Sequence, residues 1–318
     1  MNAPSPNRFR RALILEGLMV FAFLSLTSCV GDDKPIPVDL SKKAESSRAQ
    51  DTHTITYAYL PQYSHRVSYQ RHNPLIEYLK KETGLSLRQI FPDTFDEHIK
   101  MVGQGQIDIS FSNPFAYVKL EHQYGSKAFA RIIEEDGNSN FRGQIICRKD
   151  NKAINTLADC KGKRWIAVDP TSAGGYLFAL GLFHDHGIKK SDFPEIAFSP
   201  GPGGKQEKVV LSVYAGRYDL GSVREGTLDV VAGKIDISEI RVIASTPWYP
   251  GWVYSARKGL DASVVEKVKE ALLKLERRNP EQAEILKAAH INGVIASGDR
   301  EFDAVRQLLK KVNVDPAE

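Results

Sequence analysis

Asp169-Pro170-Thr171-Ser172-Ala173-Gly174-Gly175-Tyr176 follows the apolar run Trp165-Ile166-Ala167-Val168 and leads into Tyr176-Leu177-Phe178-Ala179-Leu180-Gly181-Leu182-Phe183. The first run reads as a strand and the second as a buried helix, so the octapeptide is a strand-to-helix turn. Such a turn leaves the first helical N–H groups unpaired. Hydroxyls and small residues there let an anion approach those groups, and the helix dipole favours negative charge. An ordinary N-cap, with Thr171 or Ser172 closing the first turn and nothing bound, accounts for the same residues. The rest of the chain decides between the two.

On the N-terminal side, short apolar strands alternate with amphipathic helices from Thr54 onward. Strands are expected over Thr54–Leu60, Leu85–Phe91 and Ile107–Phe111, and helices over Ser68–Thr83, Phe95–Val102 and Phe115–Tyr124. A second series starts near Asn151: strands at 164–168, Ile196–Phe198 and Leu220–Val223, helices at 175–186 and Gln206–Tyr214. After Ile240–Thr246 the chain passes Pro247-Trp248-Tyr249-Pro250-Gly251 to a last strand, Trp252–Ala256. Three helices follow, over Ala262–Arg277, Pro280–Ala288 and Asp299–Val312. This alternation implies an α/β fold of two mostly parallel lobes. The crossings lie near 142–150 and 246–253, a layout suited to a cleft that closes by hinge motion. Residues 53–146 and 247–318 form lobe I on this reading, and 147–246 form lobe II.

Ligands of such folds sit at the carboxyl ends of strands. Those ends here are Pro61-Gln62-Tyr63-Ser64, Pro92-Asp93-Thr94, Ser112-Asn113-Pro114 and the octapeptide. Candidate ligand-binding residues are therefore Tyr63, Ser64, Thr94, Ser112, Asn113, Thr171, Ser172, Ala173 and Gly174. Arg224 lies on another strand-end turn, where a guanidinium matches an oxyanion bidentately or pairs with Glu225 or Asp229. Trp248, Tyr249 and Trp252 stand beside prolines, as hinge packing or as a cleft wall.

The N-terminus addresses the chain for export. Arg8, Arg10 and Arg11 precede the apolar stretch Ala12–Leu26, interrupted by Glu16, and Leu26-Thr27-Ser28-Cys29 follows. That tetrad resembles a bacterial lipobox, so residues 1–28 read as a signal peptide and Cys29 as the lipidated mature N-terminus. Residues 29–52, rich in Asp, Lys, Ser and Pro, read as a solvated tether. Residues 1–28 carry three Arg and one Glu, so their removal takes the formal charge from +4 to +2 and leaves 290 residues. Neither that charge nor any Lys/Arg block outside the signal argues for a nucleic-acid partner. Cys147 and Cys160 remain; export permits a disulfide, and their apolar settings equally suit two packed thiols.

The chain resembles the substrate-binding lipoproteins of phosphate, phosphite and phosphonate ABC importers, which have a type II periplasmic-binding fold. The resemblance is carried by Gly105-Gln106-Ile107-Asp108-Ile109-Ser110-Phe111-Ser112-Asn113-Pro114 and by Ile154 through Lys163. Asp169 through Tyr176 and Gly216-Arg217-Tyr218-Asp219-Leu220-Gly221 extend it over roughly residues 54–275. In the phosphonate binders the turn reads Asp-Pro-Asn-Ser-Thr-Ser-Gly and its hydroxyls and amides hold the phosphonyl oxygens. Ser172 and Gly175 match that pattern, whereas Ala173 and Gly174 replace two hydroxyl residues. The turn would then hold its ligand through backbone N–H groups and Ser172. A histidine expected after the Gly-rich loop is Gln206 here, a donor without charge. Acidic residues that hold an aminoalkyl group in relatives correspond to Gly226 and Trp252, which suits a compact or uncharged substituent better.

The resemblance implies an extracytoplasmic receptor for phosphate, phosphite or an alkylphosphonate or ester. It would be a monomer held in the cell envelope by its N-terminal lipid, delivering cargo to an ABC permease. A sensor of the same fold, reporting to a membrane signalling protein, is the alternative. No nucleophile elbow or triad spacing suggests an enzyme, and no cofactor motif is present. His184-Asp185-His186 places two histidines on different sides of a helix end, which argues against a metal site. His65, beside Tyr63 and Ser64, is the one histidine placed to meet an anion.

Overall fold

The computed structural model describes residues 54–202 and 205–317. The expected signal segment, the lipidation residue Cys29 and the tether over 29–52 lie outside the described residues. The first lobe opens with β1 (Ile55–Tyr59), α1 (His65–Thr83), β2 (Leu87–Ile90), α2 (Phe95–Gly103), β3 (Ile109–Ser112), α3 (Pro114–Tyr124) and β4 (Lys127–Ile133). Through β5 (Asn140–Phe141) the chain crosses to β6 (Gly143–Arg148), β7 (Arg164–Ala167), α4 (Phe178–Asp185) and β8 (Glu195–Phe198). The second lobe continues with α5 (Lys205–Tyr214), β9 (Leu220–Arg224), α6 (Thr227–Val231) and β10 (Ile240–Ser245). Through β11 (Tyr249–Pro250) it returns to β12 (Val253–Ala256), α7 (Ala262–Leu273), α8 (Pro280–Ala289), β13 (Gly293–Ala296) and α9 (Asp303–Lys311).

The first lobe holds a six-stranded sheet ordered β13-β4-β12-β3-β1-β2, the second a five-stranded sheet ordered β10-β6-β9-β7-β8. The α/β class and the two lobes agree with the sequence reading, but each sheet is mixed rather than mostly parallel. β1, β2 and β3 run parallel, as do β7, β8 and β9. β12, β4 and β13 pair antiparallel in the first sheet, β6 and β10 in the second. The crossings account for the difference. β6 and β12 enter their sheets from the hinge side, where the parallel strands end, so they run the opposite way. β6 pairs along its length with β9 and β10, so a lobe boundary drawn at residue 146 falls inside one strand of the second sheet.

The crossings themselves are joined. β11 pairs antiparallel with β5, Tyr249 opposite Phe141, and the Gly251 amide donates to Ser139 O at 3.0 Å. The Gly143 amide donates to Thr246 Oγ1 and the Thr246 amide to Gly143 O, both at 2.9 Å.

Each strand-end turn is finished by a side chain that caps the following helix. Ser64 accepts from the Val67 amide, Thr94 from Glu97, and Asn113 from Phe115 and Ala116. These caps absorb amides that would otherwise be orphaned. In the second lobe the fully buried Trp165 packs against Phe183, Phe193 and Tyr176, ring centroids 5.1–5.5 Å apart. Its indole N–H donates to Ser222 Oγ at 2.9 Å, and the Ser222 hydroxyl donates to Gly175 O at 2.6 Å. A hydrogen-bonded line thus runs from the core to the turn. Cys147 and Cys160 are buried free thiols, and burial pushes the Cys160 pKa up to about 12.

Candidate functional site

The octapeptide enters α4 through one wide turn, Ala173–Leu177, in which the Leu177 amide donates to Ser172 O five residues back at 3.0 Å. Ser172 Oγ accepts from the Gly175 amide at 3.1 Å, the capping role open to it from sequence. The glycines are sterically required. An ideal Cβ at Gly175 would lie 2.2 Å from Val168 Cγ2; one at Gly174 would lie 2.9 Å from Phe141 Cε2 and 3.1 Å from Arg224 Cβ. The space that the Cβ of a serine would need at position 174 is therefore crowded by Phe141 and Arg224. No acceptor among the described residues takes the amides of Ala173 and Gly174. These are the donors that a helix start offers to an anion.

The turn faces the first lobe across a seam. Asn113 Nδ2 donates to Thr171 O at 3.3 Å, and the Lys205 amide donates to Gln62 O at 3.1 Å. Asn113, Thr171, Ser172 and Gln206 are all at most 4% exposed. Ser112 beside Asn113 is fully buried, and its Oγ has no partner among the described residues. Trp252 Nε1 and Gln62 Oε1 are likewise buried and unpartnered. Buried polar atoms are normally paired, so the unpartnered Ser112 hydroxyl at the seam marks a place where a bound group would complete the bonding. The Lys205 ammonium, buried at the same seam, is paired with Asp169 and so is not free to bind an anion.

Next to the seam opens a cavity of about 330 Å³. Tyr63, Arg224 and Trp252 line it, together with Tyr59, Arg71 and Glu134, which the sequence reading did not select. Arg224 pairs with neither Glu225 nor Asp229. Its Nη2 donates to Glu134 Oε2 at 2.8 Å, across from the first lobe, while Glu225 is held by Arg142 at 2.6–2.9 Å. Burial works against the charge of Arg224, but the Glu134 carboxylate, with Tyr63 and Tyr59, outweighs it and raises the Arg224 pKa. Gln206 Oε1 accepts from the Arg224 amide at 3.0 Å, which steadies the backbone of that pair.

Ser64 and Thr94 stand apart. Both are exposed, with their oxygens engaged in helix caps, and neither lines the cavity. His65 is turned to Pro92 O at 3.1 Å and Asp93 Oδ1 at 3.2 Å. Tyr249 packs on Phe178 with centroids 4.2 Å apart, which is hinge packing, whereas Trp248 lies at the cavity under the Arg142 guanidinium. Glu134 was hidden because the strand before it, β4, was not assigned from sequence. Arg71 precedes the buried His72 on α1, at the edge of the buried face formed by Ser68, His72, Leu75 and Ile76, and that boundary position was its only signal.

Among the described residues no group of His, Cys, Asp or Glu is arranged to hold a metal, and no helix is long and apolar enough to cross a membrane. Of curated proteins, the phosphate-import protein PhnD of Mycolicibacterium smegmatis is 27% identical over 256 residues, 77% of each chain. Of solved structures, PhnD1 from Prochlorococcus marinus in complex with methylphosphonate matches with a TM-score of 0.74 at 16% identity, over 82% of this chain and 99% of that one. A binding-protein component of an ABC phosphonate transporter from Pseudomonas aeruginosa matches with a TM-score of 0.72 at 20% identity, over 81% and 86%. The family model for the periplasmic substrate-binding protein of phosphonate ABC transporters matches residues 57–302. The chain thus belongs to that family, a substrate-binding transporter component that works with a membrane permease and is not an enzyme.

Proposed function

We propose that this receptor takes a phosphate-like oxyanion (phosphate, phosphite, or an alkylphosphonate or ester) at the seam between its lobes. The orphaned donors carry the reading: the Ala173 and Gly174 amides from the second lobe, and the buried Ser112 hydroxyl from the first. Ser172, Asn113, Thr171 and Gln206 hold these groups in place, and the lobes close on the ligand about the β5–β11 crossing. The fully buried setting makes each hydrogen bond to the anion stronger than it would be in water. Cys29 carries the lipid that keeps a single copy at the membrane beside its permease.

Isothermal calorimetry with phosphate, phosphite and methylphosphonate tests the site. At least one binds; Ser112→Ala weakens it by about tenfold, the scale of one lost hydrogen bond to a charged group, and Ser172→Ala weakens it by loosening the turn whose amides it holds. Binding that neither variant alters would place the ligand elsewhere. For the anchor, Cys29→Ser should move the chain from the membrane fraction to the soluble one.

A further inference from the structure

We propose that the cavity beside the seam is a second anion subsite built on Arg71, so that the favoured ligand carries a carboxylate on the substituent of its phosphorus. This rests on the oxyanion reading of the seam and extends it to the rest of the ligand.

Arg71 comes from α1 of the first lobe, is partly buried, and lies with Cζ 4.2 Å from the Tyr63 ring centroid. It has no hydrogen-bond or carboxylate partner among the described residues. The other inward charges are spoken for. Arg224 pairs with Glu134 and Glu225 with Arg142, while Asp136 is exposed and accepts from the neutral donors of Asn138. Glu135 and Asp229 sit further out, the first with 57% of its side chain exposed and the second also exposed. Arg71 is therefore the one lining arginine without a carboxylate partner among the described residues, and the remaining lining carboxylates Glu135, Asp136 and Asp229 are all exposed at the rim.

The geometry suits an anion rather than empty solvent. A guanidinium stacked on a tyrosine is already ordered, so little rotamer freedom is lost when it forks onto a carboxylate. Arg224 stands at the second-lobe wall, with Cζ 5.3 Å from the Phe141 centroid. Burial raises the pKa of Tyr59, and both guanidiniums pull the other way, so their fields meet at its hydroxyl. The cavity joins the seam at Phe141 and Arg224, the two residues that crowd Gly174. Its volume is that of a small organic group rather than a bare oxyanion.

Calorimetry on the full-length chain compares phosphonoacetate and 3-phosphonopropionate with methylphosphonate. At least one carboxylated ligand binds about 10- to 100-fold tighter than methylphosphonate, the scale of a charge-assisted bond. Arg71→Ala collapses that ratio towards one, Arg71→Lys keeps part of it, and Arg66→Ala, on an exposed position of the same helix, leaves it intact. A ratio at or below one in the parent chain overturns the inference, as does a ratio that survives Arg71→Ala. In either case methylphosphonate binding that depends on Ser112 and Ser172 leaves the seam reading standing. Failure of every phosphonate to bind overturns the inference, and failure of phosphate and phosphite as well overturns the seam reading.

Discussion

Acidification from pH 7.5 to 5.0 is expected to cost the folded chain about 4 kcal/mol through two histidines. His72 and His98 are 2% and 0% exposed. Nδ1 of His72 shares a 2.8 Å hydrogen bond with the Tyr57 hydroxyl, and its ring lies 4.4 Å from that of Tyr59. Nε2 of His98 meets Ser110 Oγ at 2.7 Å, while its Nδ1 has no partner among the described residues. Burial lowers both pKa values to about 3, with Arg71 adding to the effect on His72. In the unfolded chain a histidine takes its proton near pH 6.5. Between these values the unfolded state binds more protons, so stability falls as the pH drops through 6.5 and goes on falling towards 3. At pH 5.0 each unfolded histidine is favoured by about 2 kcal/mol, and the pair removes a large part of a typical domain's 5–15 kcal/mol. Urea unfolding followed by tryptophan fluorescence at pH 7.5, 6.0 and 5.0 measures this directly. His98→Gln lowers stability at every pH but should halve the loss between 7.5 and 5.0. Equal stabilities at the two ends, or an undiminished loss in the variant, would refute the assignment.

Other perturbations act closer to the seam. Gly174→Ser restores a hydroxyl at the turn but drives Cβ into Phe141 and Arg224; a loss of about 1–3 kcal/mol is expected in denaturant titration, with no gain in phosphonate affinity. Glu134→Gln leaves the Arg224 charge without its counter-ion. Because both side chains keep some exposure, the cost should be about 1–3 kcal/mol rather than that of a fully buried pair, read as a lower melting temperature that a carboxylated phosphonate partly restores. Asn113→Ala removes the α3 cap and the bond to Thr171 together. It should cost about 1–2 kcal/mol and increase the open population seen by small-angle scattering.

The strand-to-helix turns were legible because an apolar run that ends in Pro, Ser, Thr or Gly and then resumes with helical spacing has to turn there. What each hydroxyl does was not legible. A hydroxyl at a helix start serves the helix first, and Ser64, Thr94 and Ser172 all do so, as does the amide oxygen of Asn113. Only burial and facing partners separate Asn113 and Ser172 from Ser64 and Thr94. The stretches Lys127–Ile133 and Gly143–Arg148 went unassigned because their sheet neighbours lie far away in sequence, β12 and β13 for one and β9 and β10 for the other. The Arg224–Glu134 pair spans ninety residues for the same reason. At the C-terminus the single expected helix Asp299–Val312 divides into a tight turn over Asp299–Phe302 and α9. The longer helix expected to reach Arg277 stops at Leu273.

The paired crossings have a mechanical consequence. Two separate linkers would let one lobe slide, twist or swing against the other. Here β5 and β11 are laced together, with further bonds at Gly143–Thr246 and Ser139–Gly251. Shear along such a ribbon would break those bonds in turn, while bending across its face keeps them. Any movement between the lobes would thereby follow one flexing coordinate, with the Gly143–Thr246 and Ser139–Gly251 bonds kept throughout. Alignment of the two lobes would then be carried by the crossings, and a ligand need not supply it.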